Sequence, residues 1–164
     1  MGFAGRGGPG PGGARAVLSG RPFRFTQAVE VRFRDLDALG HVNNAVYLTY
    51  FESARMAWWL HVTRRSDLRQ MDMILARAEV DFRSPASYAE VLDVGVRCAS
   101  IGRSSFTLEQ AITERRTRRL VAEARKVLVH YDYAAGRSTP LSPELRGQLL
   151  DQDPDAVGSR GQKE

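Results

Sequence analysis

Along the chain the spacing of apolar residues changes from two to 3.6 and then returns to two. Val29, Val31 and Phe33 alternate with Glu30, Arg32 and Arg34, the pattern of a half-buried strand. A polar, turn-like stretch follows at residues 35–44. From Asn44 to His61 apolar and aromatic residues then occupy nearly every side of a predicted helix, among them Tyr47, Tyr50, Phe51, Ala54, Trp58 and Trp59. A helix that is apolar all round needs other elements wrapped about it. Four alternating stretches supply them. Ile74, Ala76, Ala78, Val80 and Phe82 share one face, and Leu92, Val94, Val96 and Cys98 a second. Phe106, Leu108 and Ile112 share a third, and Val127, Val129, Tyr131 and Tyr133 a fourth.

The breaks between these stretches are Ser84-Pro85-Ala86-Ser87, Gly102-Arg103-Ser104 and the basic run at 115–119, all suited to turns. A short C-terminal helix starts at Ser142, where Ser caps, Pro143 fits the first turn and Glu144 complements the helix dipole. The predicted order is β-α-β-β-β-β, an α+β fold in which an antiparallel five-stranded sheet curls around one long buried helix. Such a sheet covers part of the helix and leaves an edge strand unpaired, so pairing with a second copy is expected, as a homodimer or a dimer of dimers.

Composition bounds this picture. The chain has 164 residues, and eight of its 15 glycines fall in the first 20. That stretch has too little apolar surface to offset the entropy of ordering, so residues 1–20 are expected to be a flexible Gly-rich tail. Residues 21–150 form one domain, and the polar segment 151–164 is expected to be a second flexible tail. The lone Cys98 excludes an internal disulfide framework and any Cys-based zinc site within one chain. No window reaches the ~18 apolar residues of a membrane span, and no signal-peptide core precedes the fold. The expectation is a cytoplasmic protein with no membrane association. The net charge of +5 invites a nucleic-acid reading, but 22 of the 24 basic residues are Arg and they are scattered. Only Arg115-Arg116-Thr117-Arg118-Arg119 is dense, far short of the basic face that a nucleic-acid binder presents.

The candidate chemistry lies at residues 32–55, where two carboxylates, one His and two Asn separate a strand from the start of the helix. Helix N-termini carry unpaired N–H groups that stabilise developing negative charge, and a carboxylate nearby can act as base or nucleophile. Structural roles compete: Asp35 or Asp37 as an Asx-turn residue, and Asn43 or Asn44 as the helix cap. A metal site of Asp35, Asp37 and His41 would lack a further nearby His or Cys. His61 and His130 fall in helix and strand patterns, and Trp58 and Trp59 read as core.

The string Asp35-Leu36-Asp37-Ala38-Leu39-Gly40-His41-Val42-Asn43-Asn44, with Tyr47 and Phe51-Glu52-Ser53-Ala54-Arg55 after it, resembles the active-site segment of hotdog-fold acyl-CoA thioesterases of the 4-hydroxybenzoyl-CoA thioesterase-like family. The resemblance continues through residues 82–96 and 101–112 and covers about 24–148. It implies a hotdog fold and hydrolysis of an acyl-CoA, without cofactor or metal. By resemblance Asp37 is the catalytic carboxylate, as nucleophile or general base, and the backbone N–H of Asn44 is the oxyanion donor. His41 and Asn43 shape the loop, Tyr47 lines the acyl pocket, and Arg103 and Ser104 contact coenzyme A, with each site completed across a dimer interface. The His-Val-Asn-Asn string is more similar to the fatty-acyl branches than to the aromatic ones, which implies an aliphatic acyl group carried on coenzyme A or on an acyl-carrier protein. The alternative is a non-catalytic acyl-CoA or acyl-carrier sensor on the same fold. A hotdog hydratase fits poorly, because its resembling Asp and His are separated by four residues and Asp37 and His41 by three.

Overall fold

The structure, a computed structural model, describes residues 21–158. Strand β1 (Phe25–Glu30) leads through a short 3-10 turn into helix α1 (Asn44–Thr63). Strands β2 (Met73–Phe82), β3 (Val91–Ile101), β4 (Ser105–Glu114) and β5 (Leu120–Asp132) follow. The chain closes with the two-residue strand β6 (Arg137–Ser138), helix α2 (Pro143–Gln152) and the short strand β7 (Val157–Gly158). The main sheet runs β1-β3-β4-β5-β2, and its five long strands pair antiparallel. This is the curled sheet around a helix that the alternation predicts. The small strands β6 and β7 add to β5 and β3.

The inner face of the sheet holds Leu92, Val94 and Val96 of β3, and Phe106, Leu108 and Ile112 of β4, all essentially inaccessible to solvent. Against it α1 presses Tyr47, Phe51, Ala54, Trp58, Trp59 and Val62. Trp59 stacks on Phe106 with centroids 6.1 Å apart and planes 5° apart. Each such side chain contributes ~1.5–3 kcal/mol by leaving water, so α1 is held by its packed face. The other face of α1 is open in the single chain: Leu48 is 45% exposed, and Glu52 and Ser53 face solvent. Among the described residues no helix is long and apolar enough to cross a membrane.

Three local expectations change. The first strand ends at Glu30, because Arg32 turns back to bond Asp35, and Phe33 projects into solvent. In β5 the inward row is Ala122, Ala124 and Leu128, each fully buried, and not the Val127-Val129-Tyr131-Tyr133 row. The bulkier outer row misled the alternation. The segment expected to be loose from Asp151 is also bound. Helix α2 runs to Gln152, the buried Asp153 carboxylate accepts the Cys98 N–H at 2.8 Å, and β7 pairs with β3 at Ser100 and Ile101. The expected N-terminal tail at 1–20 and residues 159–164 lie outside the described residues. Gly95 of β3 is required by packing: a Cβ there would stand 2.5 Å from the Phe23 ring.

Candidate active site

The site begins where β1 stops. Val31 is pinned by its N–H to Glu90 O (2.9 Å) and by the Ala89 N–H to its own carbonyl (3.2 Å). The next turn closes on Asp35, whose buried carboxylate accepts from the Arg32 N–H, Nε and Nη2, each at 3.0 Å, and from Tyr50 Oη of α1 at 2.7 Å. Burial pushes the Asp35 pKa up, but the bonds from Arg32 and Tyr50 outweigh it and hold the carboxyl at about 2. Burial together with the Asp35 bond moves the Tyr50 phenol well above its ordinary range. Asp35 is therefore a fixed anchor between loop and helix. Its backbone carbonyl also accepts the Asn43 N–H at 2.9 Å, which sets where α1 starts.

Between these points the chain makes a tight loop, with Leu36 bridged to Val42. The Asp37 N–H donates to His41 O (2.8 Å) and the Gly40 N–H to Asp37 O (3.1 Å), with Gly40 at φ +78, a left-handed conformation suited to Gly. Asp37 Oδ1 accepts from the N–H groups of Leu39 (2.8 Å) and His41 (3.3 Å). Within the described residues Oδ2 accepts no hydrogen bond, and the side chain is exposed. The carboxylate is thus oriented by one oxygen and available by the other.

Helix α1 then opens with Asn43 as its cap, the side chain accepting the Ala45 N–H at 2.9 Å and the carbonyl accepting the Val46 N–H at 2.9 Å. Among the described residues nothing accepts from the Asn44 N–H. It joins Asp37 on a cleft of about 420 Å³ lined by Leu39, His41, Val42, Tyr47, Phe82, Arg83, Ser84 and Pro85 as well. Tyr47 and Phe82 meet with ring centroids 5.5 Å apart and form an apolar wall. The buried Tyr47 Oη accepts the Ala86 N–H at 3.0 Å, fixing the 84–87 loop opposite the loop that carries Asp37, and the Val42 N–H donates to Ala86 O at 2.9 Å.

Of the residues singled out by sequence, Asp37, His41, Asn44 and Tyr47 meet on this cleft. Asn43 stands beside it as the cap and is not among its lining residues. Arg103 and Ser104 lie in the β3–β4 turn, where their carbonyls accept from Leu141 and His130. Strand register puts that turn next to Val129, whereas Phe82 of the cleft pairs with Ala122, a separation of roughly 23 Å along the strand. One chain therefore does not bring them to Asp37. Three of the four arginines of the basic run are spent on carboxylates: Arg115 and Arg118 pair with Asp93 at 2.6 and 3.3 Å, and Arg119 with Glu90 at 2.8 Å. With Asp35 engaged by Arg32 and Tyr50, it is not a partner for Asp37 in a metal site, and no group of three potential ligands occurs among the described residues. The Arg32–Asp35–Tyr50 anchor escaped sequence reading. Its only local signal is the three-residue spacing of Arg32 and Asp35, because Tyr50 is a further 15 residues away.

A carboxylate and a free helix-start N–H on one cleft, in a sheet curled around that helix, define a class. The family model of the thioesterase-like superfamily matches residues 31–149, and the chain belongs to that superfamily, a hotdog-fold family of thioester hydrolases. Among individual proteins, the chain is similar to the long-chain acyl-CoA thioesterase FadM of Escherichia coli K12, 28% identical over 126 residues, or 74% of this chain and 93% of FadM. It is 31% identical to YsmA of Bacillus subtilis 168 over 86 residues, which span 52% of this chain and 58% of YsmA. Among solved structures it superposes on a thioesterase of Thermus thermophilus complexed with coenzyme A and Zn, with a TM-score of 0.72 and 37% identity over 80% of this chain and 96% of that one.

Proposed function

We propose that the chain hydrolyses the thioester of an aliphatic acyl-CoA, with Asp37 as the catalytic carboxylate and the Asn44 N–H as the oxyanion donor. The observation that carries this reading is their meeting on one cleft, Asp37 with a free oxygen and Asn44 with a free N–H. In the proposed reaction the thioester carbonyl lies between them. Either Asp37 Oδ2 takes a proton from water as the water oxygen bonds to the carbonyl carbon, or Oδ2 attacks that carbon itself and water later opens the anhydride. In both routes the C–S bond breaks and the sulfur leaves as coenzyme A thiolate, while the oxyanion is held by the helix start. The thiolate takes up the proton that water gives up, from Asp37 in the first route and through solvent in the second. Repeated turnover in ¹⁸O water labels the Asp37 carboxylate only by the second route with water opening the anhydride at the Asp37 carboxyl carbon.

The supporting residues follow from position. His41 and Asn43 hold the loop and cap, and Tyr47 with Phe82 walls the acyl group. Strand β2 is an edge strand exposed over Leu75–Glu79, and antiparallel pairing with a second copy there would set its Met73 end beside the Phe82 end of the first. Arg103 of the partner subunit and Ser104 of the partner subunit would then approach the cleft from the far end of the partner's sheet, where an Arg suits coenzyme A phosphates. The aliphatic acyl group is supported by the similarity to FadM, a long-chain acyl-CoA thioesterase. The proposal includes a cytoplasmic location, where acyl-CoA is at hand.

The test is thiol release from acetyl- through palmitoyl-CoA and from benzoyl- and phenylacetyl-CoA, with wild type and Asp37→Asn in parallel. Asp37→Asn is expected to lower kcat by about 10²–10⁴-fold with its elution volume unchanged, and near-full activity overturns the assignment. Binding of every ester with turnover of none, on coenzyme A or on an acyl-carrier protein, identifies a sensor instead.

A further inference from the structure

The strip between α1 and the β2 edge carries two buried cations that the chemistry above leaves unused. Lys126 occupies an inward position of β5 between Ala124 and Leu128 and is 3% exposed. Its ammonium lies 4.8 Å from the centre of the Phe51 ring, and among the described residues it has no hydrogen bond or ion pair. Arg55, one turn beyond Phe51, is 6% exposed. Its Nη2 reaches Glu52 at 3.3 Å, while its Nε is buried with no acceptor. Glu52 itself is largely exposed, so two desolvated cations share one carboxylate that faces water. On the neighbouring strand Gln110 spends its amide on the Phe51 carbonyl (2.8 Å) and leaves Oε1 buried without a donor. Burying charge is costly, and two cations compensated by one exposed carboxylate form a site with an excess of positive charge that suits a further anion. Burial, with a smaller effect from Arg55, lowers the Lys126 pKa to about 8, which leaves it largely charged at neutral pH.

These groups lie further along the same strand pair and helix that supply the cleft wall. Phe82 of the cleft wall pairs with Ala122, and Lys126 stands four residues further along β5, about 13 Å. On the facing helix Arg55 stands eight residues beyond Tyr47, about 12 Å. Val80 and Ala78 of β2 pair with Ala124 and Lys126 along the interval, and Leu48 and Phe51 belong to the same stretch of α1. The interval is lined by apolar residues and ends in two cations.

We propose that this strip is the track for the acyl chain, and that Lys126 and Arg55 bind an anion at its far end, so that the preferred substrates are acyl-CoAs terminating in an ω-carboxylate. The proposal rests on the thioesterase reading and specifies its substrate class. A C–C bond of ~1.52 Å at ~111° advances an extended chain by about 1.25 Å, so the spacing from cleft wall to cations matches about ten bonds and suits acyl groups of about 8–12 carbons. A plain methyl end in the same place would leave both cations desolvated, with only the exposed Glu52 to offset them. A second copy paired along β2 would roof the strip.

The experiment compares kcat/KM at pH 7 for unsubstituted and ω-carboxylated acyl-CoAs of 8, 10 and 12 carbons. Wild type is expected to favour the ω-carboxylated ester at least tenfold at one of these lengths. Lys126→Met is expected to lower that ratio at least tenfold, and Lys126→Arg, which keeps the charge, to retain most of it. A preference for unsubstituted esters at every length overturns the proposal, as does a ratio that Lys126→Met leaves unchanged. If Lys126→Met and Glu52→Gln dissociate the dimer without moving the ratio, the cations serve the contact between copies and the proposal fails. Turnover of esters without preference rejects the ω-carboxylate alone. Absence of turnover on every acyl-CoA rejects the acyl-CoA substrate reading and this proposal with it.

Discussion

Asp35 and Asp37 are two residues apart, yet the structure gives them opposite duties, and Asp35→Asn separates the two. The substitution keeps the shape of the side chain but puts an NH2 group among donors, where Arg32 and Tyr50 now deliver four bonds. The Asp35 carboxyl is held at about 2 against an ordinary 3.8, and each unit of such a shift corresponds to about 1.4 kcal/mol. The anchor therefore contributes about 2 kcal/mol, a magnitude kept because Asp35 is 4% exposed although the Arg32 side chain is 50% exposed. The sign is fixed by linkage. A folded pKa below the unfolded one gives stability that is present above about pH 4 and is lost as pH falls through about 2. Urea unfolding followed by the fluorescence of the buried Trp58 and Trp59 measures it, at fixed protein concentration. At pH 7 the variant should be about 2 kcal/mol less stable, and the gap should narrow steadily between pH 5 and pH 2. Its kcat should fall far less than that of Asp37→Asn. A gap below about 0.5 kcal/mol at pH 7, the range of an ordinary surface change, or a gap that persists at pH 2, refutes the reasoning.

Other expectations follow from the same geometry. Asn44→Pro removes the N–H proposed as oxyanion donor at a helix position that tolerates Pro, and Asn43 already has the extended ψ of 139° that a following Pro requires. Its kcat should drop about 10²–10³-fold, whereas Asn44→Ala, which keeps the N–H, should stay within a few-fold in the same thiol-release assay. Tyr47→Phe leaves the buried Ala86 N–H without its acceptor, which should lower stability by about 1–3 kcal/mol in thermal unfolding. Cys98 is buried, and burial followed by the nearby Asp153 raises its pKa far above the ordinary thiol value. It should resist a thiol reagent in the folded protein and react at once in guanidinium.

The element order was legible because periods of two and 3.6 are imposed by burial on one face, and the helix start because Asn43, Asn44 and the polar stretch before them carry cap chemistry. The place of Asp37 on the cleft was legible through a local string. The Arg32–Asp35–Tyr50 anchor was not, because it joins a turn to a residue nearly two turns into α1, a relation only the packed helix creates. The inward face of β5 was misread for a related reason. Its inner row has to make room for α1 and so carries Ala122, Ala124 and Lys126, while the larger Val127 and Val129 sit less deeply on the outside. A lysine in an inward row was the signal available there. The bulge between Leu75 and Arg77 likewise shifts the alternation of β2 by one position, and no residue in that stretch announces it.

The bond from Asp153 to the Cys98 N–H also bears on how the polypeptide comes together as it is made. Strand β1 reaches only as far as Val96 along β3. Beyond that point the exposed margin of β3 is sealed by Asp153 and by Val157–Gly158. A nascent chain can thus lay down β3 and β4 early, but it carries an unsealed strand margin until translation has advanced well past α2. That interval is the chain's window of vulnerability to pairing with the wrong neighbour on a crowded polysome.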